Sequence, residues 1–325
     1  MDLIGYTCAY VPVEILAATG LKPYRLLHGD VKLAQAGEMF ARVDACPLIK
    51  STLSYVVEHR EEFRCLVGSS GCDMARRLFD VLDKLVDIPA LVIDNPRTDR
   101  FSIYSDEIDW LQKELGSITG TKITADAIQR EIQKWEAARR HFRFLDEKRR
   151  ARPSLLSTAE FHKAIVYYHK GEIEFPPFVP EKPSEKPRVY FLGSALPYEA
   201  NPALALFEER LRIVGDFNCG ISRFLNVNCA EPTLAGLKNA YYNQPPCIMK
   251  RPNRPFYEHV TRQIRELDCS GVIAWTLDYC DNYEFELKRI EERIGLPVLR
   301  IRSDLSFQNL AQLKTRIEAF AEMLL

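Results

Sequence analysis

Apolar and polar residues alternate along the first hundred positions in segments that predict strands and helices in turn. The predicted elements are a strand at Leu3 to Tyr6, a helix from Pro47, a strand at Cys65 to Gly68, a helix from Asp73 to about Val86, and a strand at Leu91 to Ile93. The helix after Asp73 has apolar residues every three or four positions, which predicts one face packed against a sheet. Strand and helix in alternation predict parallel pairing and an α/β fold.

The middle of the chain follows a helical period instead. After a suitable N-cap at Thr124, apolar residues recur at helical spacing: Ile128, Ile132, Trp135, Phe142 and Leu145. A proline-rich stretch, EFPPFVPEKPSEKP, then excludes both a helix and a central strand and is typical of a linker. From Val189 onward the α/β alternation resumes.

These patterns predict two Rossmann-like α/β domains, with parallel sheets and helices on both faces, and a helical insert between them. The predicted boundaries are 1–100 for the N-terminal domain, 101–174 for the helical subdomain, 175–187 for the linker and 188–325 for the C-terminal domain. In a parallel sheet, ligands bind outside the carboxyl ends of the strands, so a functional site is expected there.

Two distant segments repeat one pattern. GCDMARRLFDVLDKLVDIPALVI and YCDNYEFELKRIEERIGLPVLRI share Cys-Asp near the front, and the separation from Cys72 to Pro89 equals that from Cys280 to Pro297. Each segment predicts a turn with Cys-Asp after a strand, then a helix and another strand. Cys72 and Cys280 are therefore expected at the carboxyl ends of strands.

Cys46 has a related setting, because it directly precedes Pro47, a residue favoured at the first position of a helix. Oriented N–H groups at a helix N-terminus favour the thiolate, so a lowered pKa is predicted for these three thiols. Thiolates attack electrophiles or bind metals. The ordinary alternative is a small buried apolar residue, which is our interpretation of Cys65 and Cys269.

Composition narrows the classes of function. The 325 residues carry a formal net charge of -1, so no basic excess indicates nucleic acid as a ligand. We find no apolar run long enough to span a membrane and no signal peptide at the start, which predicts a cytoplasmic protein. In a reducing compartment the nine cysteines are expected to be free thiols or metal ligands.

Several ordered blocks carry a resemblance to a known family. The blocks GYTCAYVPVEILAATGLKPYRL, CPLIKS, GCDMARRLFDVL, DYCD, GLPVLRIRSD and QLKTRIEAFAEML together resemble the 2-hydroxyacyl-CoA dehydratase and benzoyl-CoA reductase subunit family (D-component). DFNCGISR, with Asp216, Cys219 and Arg223, also matches a family block and is expected to line the cleft. The same expectation holds for PPCIMKRPNR, with Cys247, Lys250 and Arg251.

The resemblance implies a [4Fe-4S] cluster held by Cys46, Cys72 and Cys280, with one iron open to water or substrate oxygen. It implies one-electron reduction of an acyl-CoA thioester to a ketyl radical, with the electron supplied by a separate ATP-dependent iron–sulfur activator. A related second subunit or a homodimer is implied as well. Glu14 matches a family carboxylate near the cluster and is the candidate for proton transfer, although a helix-stabilising role for this glutamate is equally compatible with its position.

Two alternatives stay open at this point. Cys8, Cys219, Cys229 and Cys247, together with the first three thiols, are compatible with a double-cubane [8Fe-9S] cluster of an ATP-dependent reductase of small molecules. The other alternative is a non-catalytic homologue that relays electrons or regulates, with zinc or nothing at the three thiols. The chain is shorter than typical catalytic subunits, so the acyl-CoA substrate is not carried over.

Overall fold

The structure is a computed structural model that describes residues 1–174, 177, 179–306 and 310–325. Its strands are β1 (Leu3–Tyr6), β2 (Lys22–Arg25), β3 (Phe63–Ser69), β4 (Ala90–Ile93), β5 (Arg188–Gly193), β6 (Arg212–Asp216), β7 (Gly271–Leu277) and β8 (Val298–Ser303). Its helices are α1 (Val13–Ala17), α2 (Val31–Gly37), α3 (Pro47–Glu58), α4 (Asp73–Leu85), α5 (Phe101–Thr119), α6 (Ala125–Arg150), α7 (Thr158–His169), α8 (Asn201–Phe207), α9 (Leu234–Tyr242), α10 (Arg254–Glu266), α11 (Asp281–Glu284), α12 (Leu287–Ile294) and α13 (Leu310–Met323).

The strands form two four-stranded sheets, and within each sheet all neighbouring strands pair in parallel. The first sheet has the order β2-β1-β3-β4 and the second has the equivalent order β6-β5-β7-β8. The order in which the chain adds strands therefore changes direction between β1 and β3 in the first sheet and between β5 and β7 in the second. Doubly wound sheets bind ligands at such a switch point. The predicted α/β class with two parallel sheets is confirmed, whereas the Rossmann-like description stays a prediction.

The repeated segments form equivalent units in the two sheets. Cys72 is the N-cap of α4, between β3 and β4, and Cys280 is the N-cap of α11, between β7 and β8. β7 is buried along its whole length, as expected of a strand with helices on both faces. The second unit differs in its helix, which is interrupted between α11 and α12, where a single helix was predicted.

The three long helices of the middle segment pack onto both sheets. Their apolar faces join the largest cluster of buried side chains, which also contains residues of β1, β3, β5 and β7. Thr124 caps α6 as predicted, because its side chain accepts a hydrogen bond from the backbone N–H of Ala127 at 3.2 Å. These helices thus help to hold the two sheets in a common core.

The proline-rich stretch lies partly outside the described residues, since Phe175, Pro176 and Phe178 of the predicted linker belong to the part not described. Further along, the backbone N–H of Glu181 donates to Leu155 O at 2.9 Å, and that of Ser184 donates to Ser154 O at 3.2 Å. This part of the stretch is attached to the segment after α6. The division into four domains stays a prediction.

In the described residues, no helix has the length and apolar character that crossing a bilayer would require.

Candidate functional site

A cavity of about 290 Å³ lies between the carboxyl ends of the two sheets. Loops after β1 and β3 of the first sheet and after β5 and β7 of the second contribute to its wall. Six of the nine cysteines line it: Cys8, Cys46, Cys72, Cys219, Cys247 and Cys280. All six thiols are free. Segments far apart in the sequence therefore bring six sulfurs to one place.

The three predicted ligands are among these six, and each is the N-cap of a helix: Cys46 of α3, Cys72 of α4 and Cys280 of α11. Backbone N–H groups of the first turn approach each sulfur and favour the thiolate. Ser194, at the end of β5, adds a side-chain hydrogen bond to Cys280. The structure thus brings the predicted trio together at one cavity.

The net pKa direction of this trio is opposite to the sequence-based expectation. Burial raises the pKa of Cys46 to about 12, with further contributions from Cys280 and Cys72, and burial also raises the pKa values of Cys72 and Cys280. Desolvation disfavours the thiolate more than the helix N-termini favour it. The prediction of lowered pKa values was therefore wrong for the free thiols. A bound metal ion would reverse this balance, since a coordinating thiol loses its proton.

Cys8, Cys219 and Cys247 form the remaining part of the thiol lining. Cys219 and Cys247 share a hydrogen bond that raises the pKa of Cys219 and lowers that of Cys247. The guanidinium of Arg223 adds to the lowering at Cys247. Burial raises the pKa of Cys8. Within this pair, the thiolate is thus favoured at Cys247, which accepts the hydrogen bond from Cys219 and faces Arg223.

Two residues named from the sequence lie away from this lining. The Cys229 thiol is buried and donates to the carbonyl oxygen of Glu231 at 3.0 Å. Glu14 is fully buried, lies 2.7 Å from Arg139 Nη1 through its Oε1 atom and accepts a hydrogen bond from Tyr241 at 2.8 Å. Neither residue is part of the cavity wall. The role of Glu14 in proton transfer stays a prediction.

Sequence reasoning missed Asn218, which ties together the loops that carry Cys219 and Ser194. Its Oδ1 accepts from the backbone N–H groups of Leu196 at 3.0 Å and Gly220 at 2.8 Å, and its Nδ2 donates to Ser194 O at 2.7 Å. The side chain is fully buried. The motif DFNCG contains this residue, but only the fold shows that its side-chain amide connects the loop after β5 with the loop after β6.

Gly193 has a similar unpredicted role. Its φ is +141°, and a Cβ atom there would lie 1.7 Å from the carbonyl oxygen of Trp275. Only glycine allows β5 to approach β7 this closely at the cavity.

The donor set of the cavity suits an iron–sulfur cluster. Among the residues that the structure describes, no group of three or more His, Cys, Asp or Glu side chains could hold a metal ion as arranged. Thiolates of an iron–sulfur cube bind different irons, so their sulfurs lie farther apart than the ligands of one ion. Six free thiols, with few competing oxygen ligands inside the cavity, fit such a cluster by chemistry.

Fold and cavity define the class of protein: an α/β chain whose two parallel sheets present free thiols to a shared cavity. The chain belongs to the family described as 2-hydroxyglutaryl-CoA dehydratase, D-component, whose family model matches residues 8–324. The predicted family resemblance is confirmed. Members of the family are 2-hydroxyacyl-CoA dehydratases or related reductase components, which supports an enzyme-related role.

Individual relatives are distant, and several of them match over nearly the whole chain. The chain is 23% identical to the (R)-phenyllactyl-CoA dehydratase beta subunit of Clostridium sporogenes, over 99% of this chain and 91% of that protein. It is 25% identical to (R)-2-hydroxyglutaryl-CoA dehydratase, subunit beta, of Acidaminococcus fermentans, over 99% and 92%. It is 29% identical to a subunit of benzoyl-CoA reductase from Thauera aromatica, over 42% and 38%. Each of these relatives is named as a subunit, which supports a partner subunit for this chain.

Proposed function

We propose that this chain is the iron–sulfur subunit of a 2-hydroxyacyl-CoA dehydratase-like enzyme, with Cys46, Cys72 and Cys280 as the ligands of a [4Fe-4S] cluster. The observation that carries the proposal is that all three thiols, each at a helix N-terminus, line one cavity between two sheets. The family to which the chain belongs supports an acyl-CoA thioester as the substrate.

When bound, the cluster supplies one electron and a Lewis-acidic iron for reduction of a thioester carbonyl. The chain's own residues prepare the site for it. First-turn N–H groups stabilise the thiolates, and the apolar side chains of Leu48, Met74 and Leu277 limit the access of water. Low polarity and N–H groups directed at sulfur are among the features by which proteins adjust a cluster's reduction potential.

The size of the cavity bears on the partner. At about 290 Å³ it is at the lower end of the volumes that enclose a drug-sized ligand, and a CoA thioester is larger. We therefore infer that most of an acyl-CoA lies outside the cavity, against a related second subunit or a second copy of this chain. We also propose a cytoplasmic location and an ATP-dependent iron–sulfur activator as the source of the electron.

A second candidate is favoured by the three additional thiols in the cavity. In an [8Fe-9S] double cubane, two four-iron cubes share one bridging sulfide, so about six thiolates complete the coordination. Six cysteines line the cavity, and Cys229 is not one of them. This number supports a double-cubane, ATP-dependent reductase of small molecules, with Cys8, Cys219 and Cys247 as the second set of ligands.

Anaerobic purification with iron and sulfide analysis tests both candidates. About four irons per chain supports the first and about eight the second. Serine at Cys46, Cys72 or Cys280 should abolish the broad absorbance near 400 nm in either case. Serine at Cys8, Cys219 or Cys247 should lower the iron content only if the cluster is a double cubane.

Cys269→Ser is the matched control, because Cys269 is buried outside the cavity and should leave the iron content unchanged. A colourless wild-type protein with stoichiometric zinc would contradict both candidates and support a non-catalytic homologue.

A further inference from the structure

The buried arginines of this chain form two groups. Arg139 and Arg149 are fully buried and paired: Nη1 of Arg139 lies 2.7 Å from Glu14 Oε1, and Nη1 of Arg149 lies 2.7 Å from Asp216 Oδ2. Such pairing is the rule, because a buried charge without a partner of opposite sign costs several kcal/mol.

Arg25 and Arg223 are buried to the same degree, with exposed fractions of 2% and 1%. Within the described residues, however, no carboxylate lies within ion-pair distance of either guanidinium. Arg25 Nη1 donates to Cys219 O at 2.7 Å, and Arg223 Nη2 donates to Pro245 O at 2.9 Å and to Tyr10 at 3.2 Å. Neutral oxygens hold both groups in place and leave their charges uncompensated.

Lys250 is a third cation, half-buried rather than fully buried. Its Nζ atom donates to Asn95 Oδ1 at 2.6 Å and to Pro96 O at 2.7 Å, again without a carboxylate partner in the described part of the chain. The ammonium group lies 4.8 Å from the ring centroid of Tyr10. Tyr10 and Asn95 both line the thiol cavity.

One of the three cations lines the cavity, and the other two contact a residue of its wall. Arg25 is part of the cavity wall. The Arg223 guanidinium lies 5.3 Å from the ring centroid of Tyr10, a residue of that wall, and the Lys250 ammonium contacts the same ring. The carboxylates that line the cavity, Asp73 and Asp281, are exposed at its rim. The interior therefore has an excess of positive charge among its buried groups.

We propose that Arg25, Arg223 and Lys250 are counter-charges for an anionic, thiolate-bound centre in this cavity and that they set its reduction potential. The inference rests on the proposed function and adds the charge of the centre and the residues that balance it. Thiolate ligands bring one negative charge each, and the cations are in place before the centre binds. Paired arginines elsewhere in the chain show that the fold uses carboxylates where no anionic ligand is needed.

The direction of the effect follows from electrostatics. Reduction adds a negative charge to the centre, and nearby buried cations stabilise that charge more than they would in water. Replacing one cation with a neutral side chain should therefore shift the midpoint potential to more negative values. A tenfold loss in the equilibrium constant for one-electron reduction corresponds to about 59 mV.

The test compares Arg223→Met and Arg25→Met with Arg223→Lys and with Arg212→Met as a matched control. Arg212 is buried and paired, with Nη1 at 3.1 Å from Glu181 Oε2. Midpoint potentials are measured on the anaerobically loaded protein, and thermal unfolding is measured on the iron-free protein.

We expect each Met variant at Arg25 or Arg223 to make reduction at least tenfold less favourable, while the iron-free protein unfolds at the wild-type temperature or above it. Arg223→Lys should keep most of the wild-type potential. Arg212→Met should give the opposite pair of results, an unchanged potential and a lowered unfolding temperature.

Two outcomes separate this inference from the proposed function. If the wild type binds iron but the potentials of both Met variants equal that of the wild type, the counter-charge inference is overturned and the proposed function stands. If the wild-type protein binds no iron, the proposed function fails and the inference fails with it. Should Arg223→Met not fold, Arg25→Met and Lys250→Met carry the same test.

Discussion

At the scale of single residues, burial decides the charge state of the groups inside this protein. Burial raises the pKa values of most of its thiols and lowers that of His162 to about 4. At Arg139 a buried charge persists because the carboxylate of Glu14 lies 2.7 Å away, and Glu14 in turn accepts a hydrogen bond from Tyr241. Individual substitutions at such positions should therefore act first on stability.

Glu14→Gln should lower the free energy of unfolding by about 3 to 5 kcal/mol, because it leaves the buried Arg139 with less compensation. Urea denaturation provides the measurement. The double variant Glu14→Leu with Arg139→Met should recover most of the loss, since it removes both charges. Unchanged stability of Glu14→Gln together with lost turnover would instead support proton transfer by Glu14.

His162 should make the protein less stable in acid. It is 1% exposed, neither ring nitrogen has a hydrogen-bond partner among the described residues, and burial lowers its pKa from 6.5 to about 4. The unfolded chain binds the proton more readily, so this contribution is complete above pH 6.5 and is lost as pH falls from 6.5 to 4. Its size is about 3 kcal/mol.

The variant His162→Phe should therefore flatten the pH dependence of the urea midpoint between pH 7 and pH 4.5. An unchanged slope in this variant would show that other groups, such as His169, whose pKa burial also lowers, dominate the acid sensitivity.

At the scale of elements, loops at the carboxyl ends of the strands place the thiols, and hydrogen bonds hold those loops. Asp216 ends β6, and its Oδ1 accepts from the backbone N–H groups of Asn218 at 3.0 Å and Ser222 at 3.1 Å. Asn218 then joins this loop to the one after β5. The position of Cys219 depends on these contacts rather than on a helix or strand.

Asn218→Ala should lower the free energy of unfolding by about 2 to 3 kcal/mol, because several buried backbone groups lose their partners. It should also speed the alkylation of Cys219 by iodoacetamide, as followed by peptide mass mapping. Asn226→Ala is the matched control, since Asn226 makes one partly buried hydrogen bond, to Arg223 O at 3.1 Å. Equal alkylation rates in the two variants would argue against a positioning role for Asn218.

At the scale of the whole molecule, the cavity exists because the carboxyl ends of the two sheets are held next to each other. His28, after β2, meets Glu199, after β5, with 2.8 Å between Nδ1 and Oε1, and the backbone N–H of Gly29 donates to Glu199 Oε2 at 2.8 Å. Tyr198 adds a hydrogen bond from its hydroxyl to Arg25 O at 2.6 Å. These contacts join the two halves beside the thiols.

Glu199→Ala should weaken this junction by about 1 to 3 kcal/mol and increase the alkylation rates of Cys46 and Cys280 together. Although burial alone would raise it, the pKa of Glu199 lies below its ordinary value because His28 and the N–H of Gly29 stabilise the carboxylate. Its contribution is thus present above the ordinary value of 4.5 and is lost as pH falls through the lowered pKa.

Glu209→Ala is the control for Glu199→Ala, because Glu209 is an exposed residue paired with Lys314 at 3.2 Å. If both variants alkylate alike, the His28–Glu199 contact does not hold the halves together.

Local features of this protein followed from the sequence by itself. The pattern of apolar residues predicted β1 at Leu3–Tyr6, and Thr124 was predicted as the N-cap of α6. The repeated Cys-Asp pattern predicted Cys72 and Cys280 at equivalent helix starts. These features depend on neighbours within a few residues, so local pattern was sufficient. The same local reasoning failed near the end of α4: the apolar spacing of this helix predicted one face packed against a sheet, but Leu85 on that face is 38% exposed.

Only the tertiary structure decided which distant side chains meet. Cys8, Cys219 and Cys247 join the cavity and Cys229 does not, because the docking of two sheets determines which loops converge. It also decided the net pKa direction at the thiols, since desolvation depends on everything packed around a group and not on its place in a helix. The unpaired cations around the cavity are a property of the same kind: their lack of carboxylate partners among the described residues is visible only once the chain is folded.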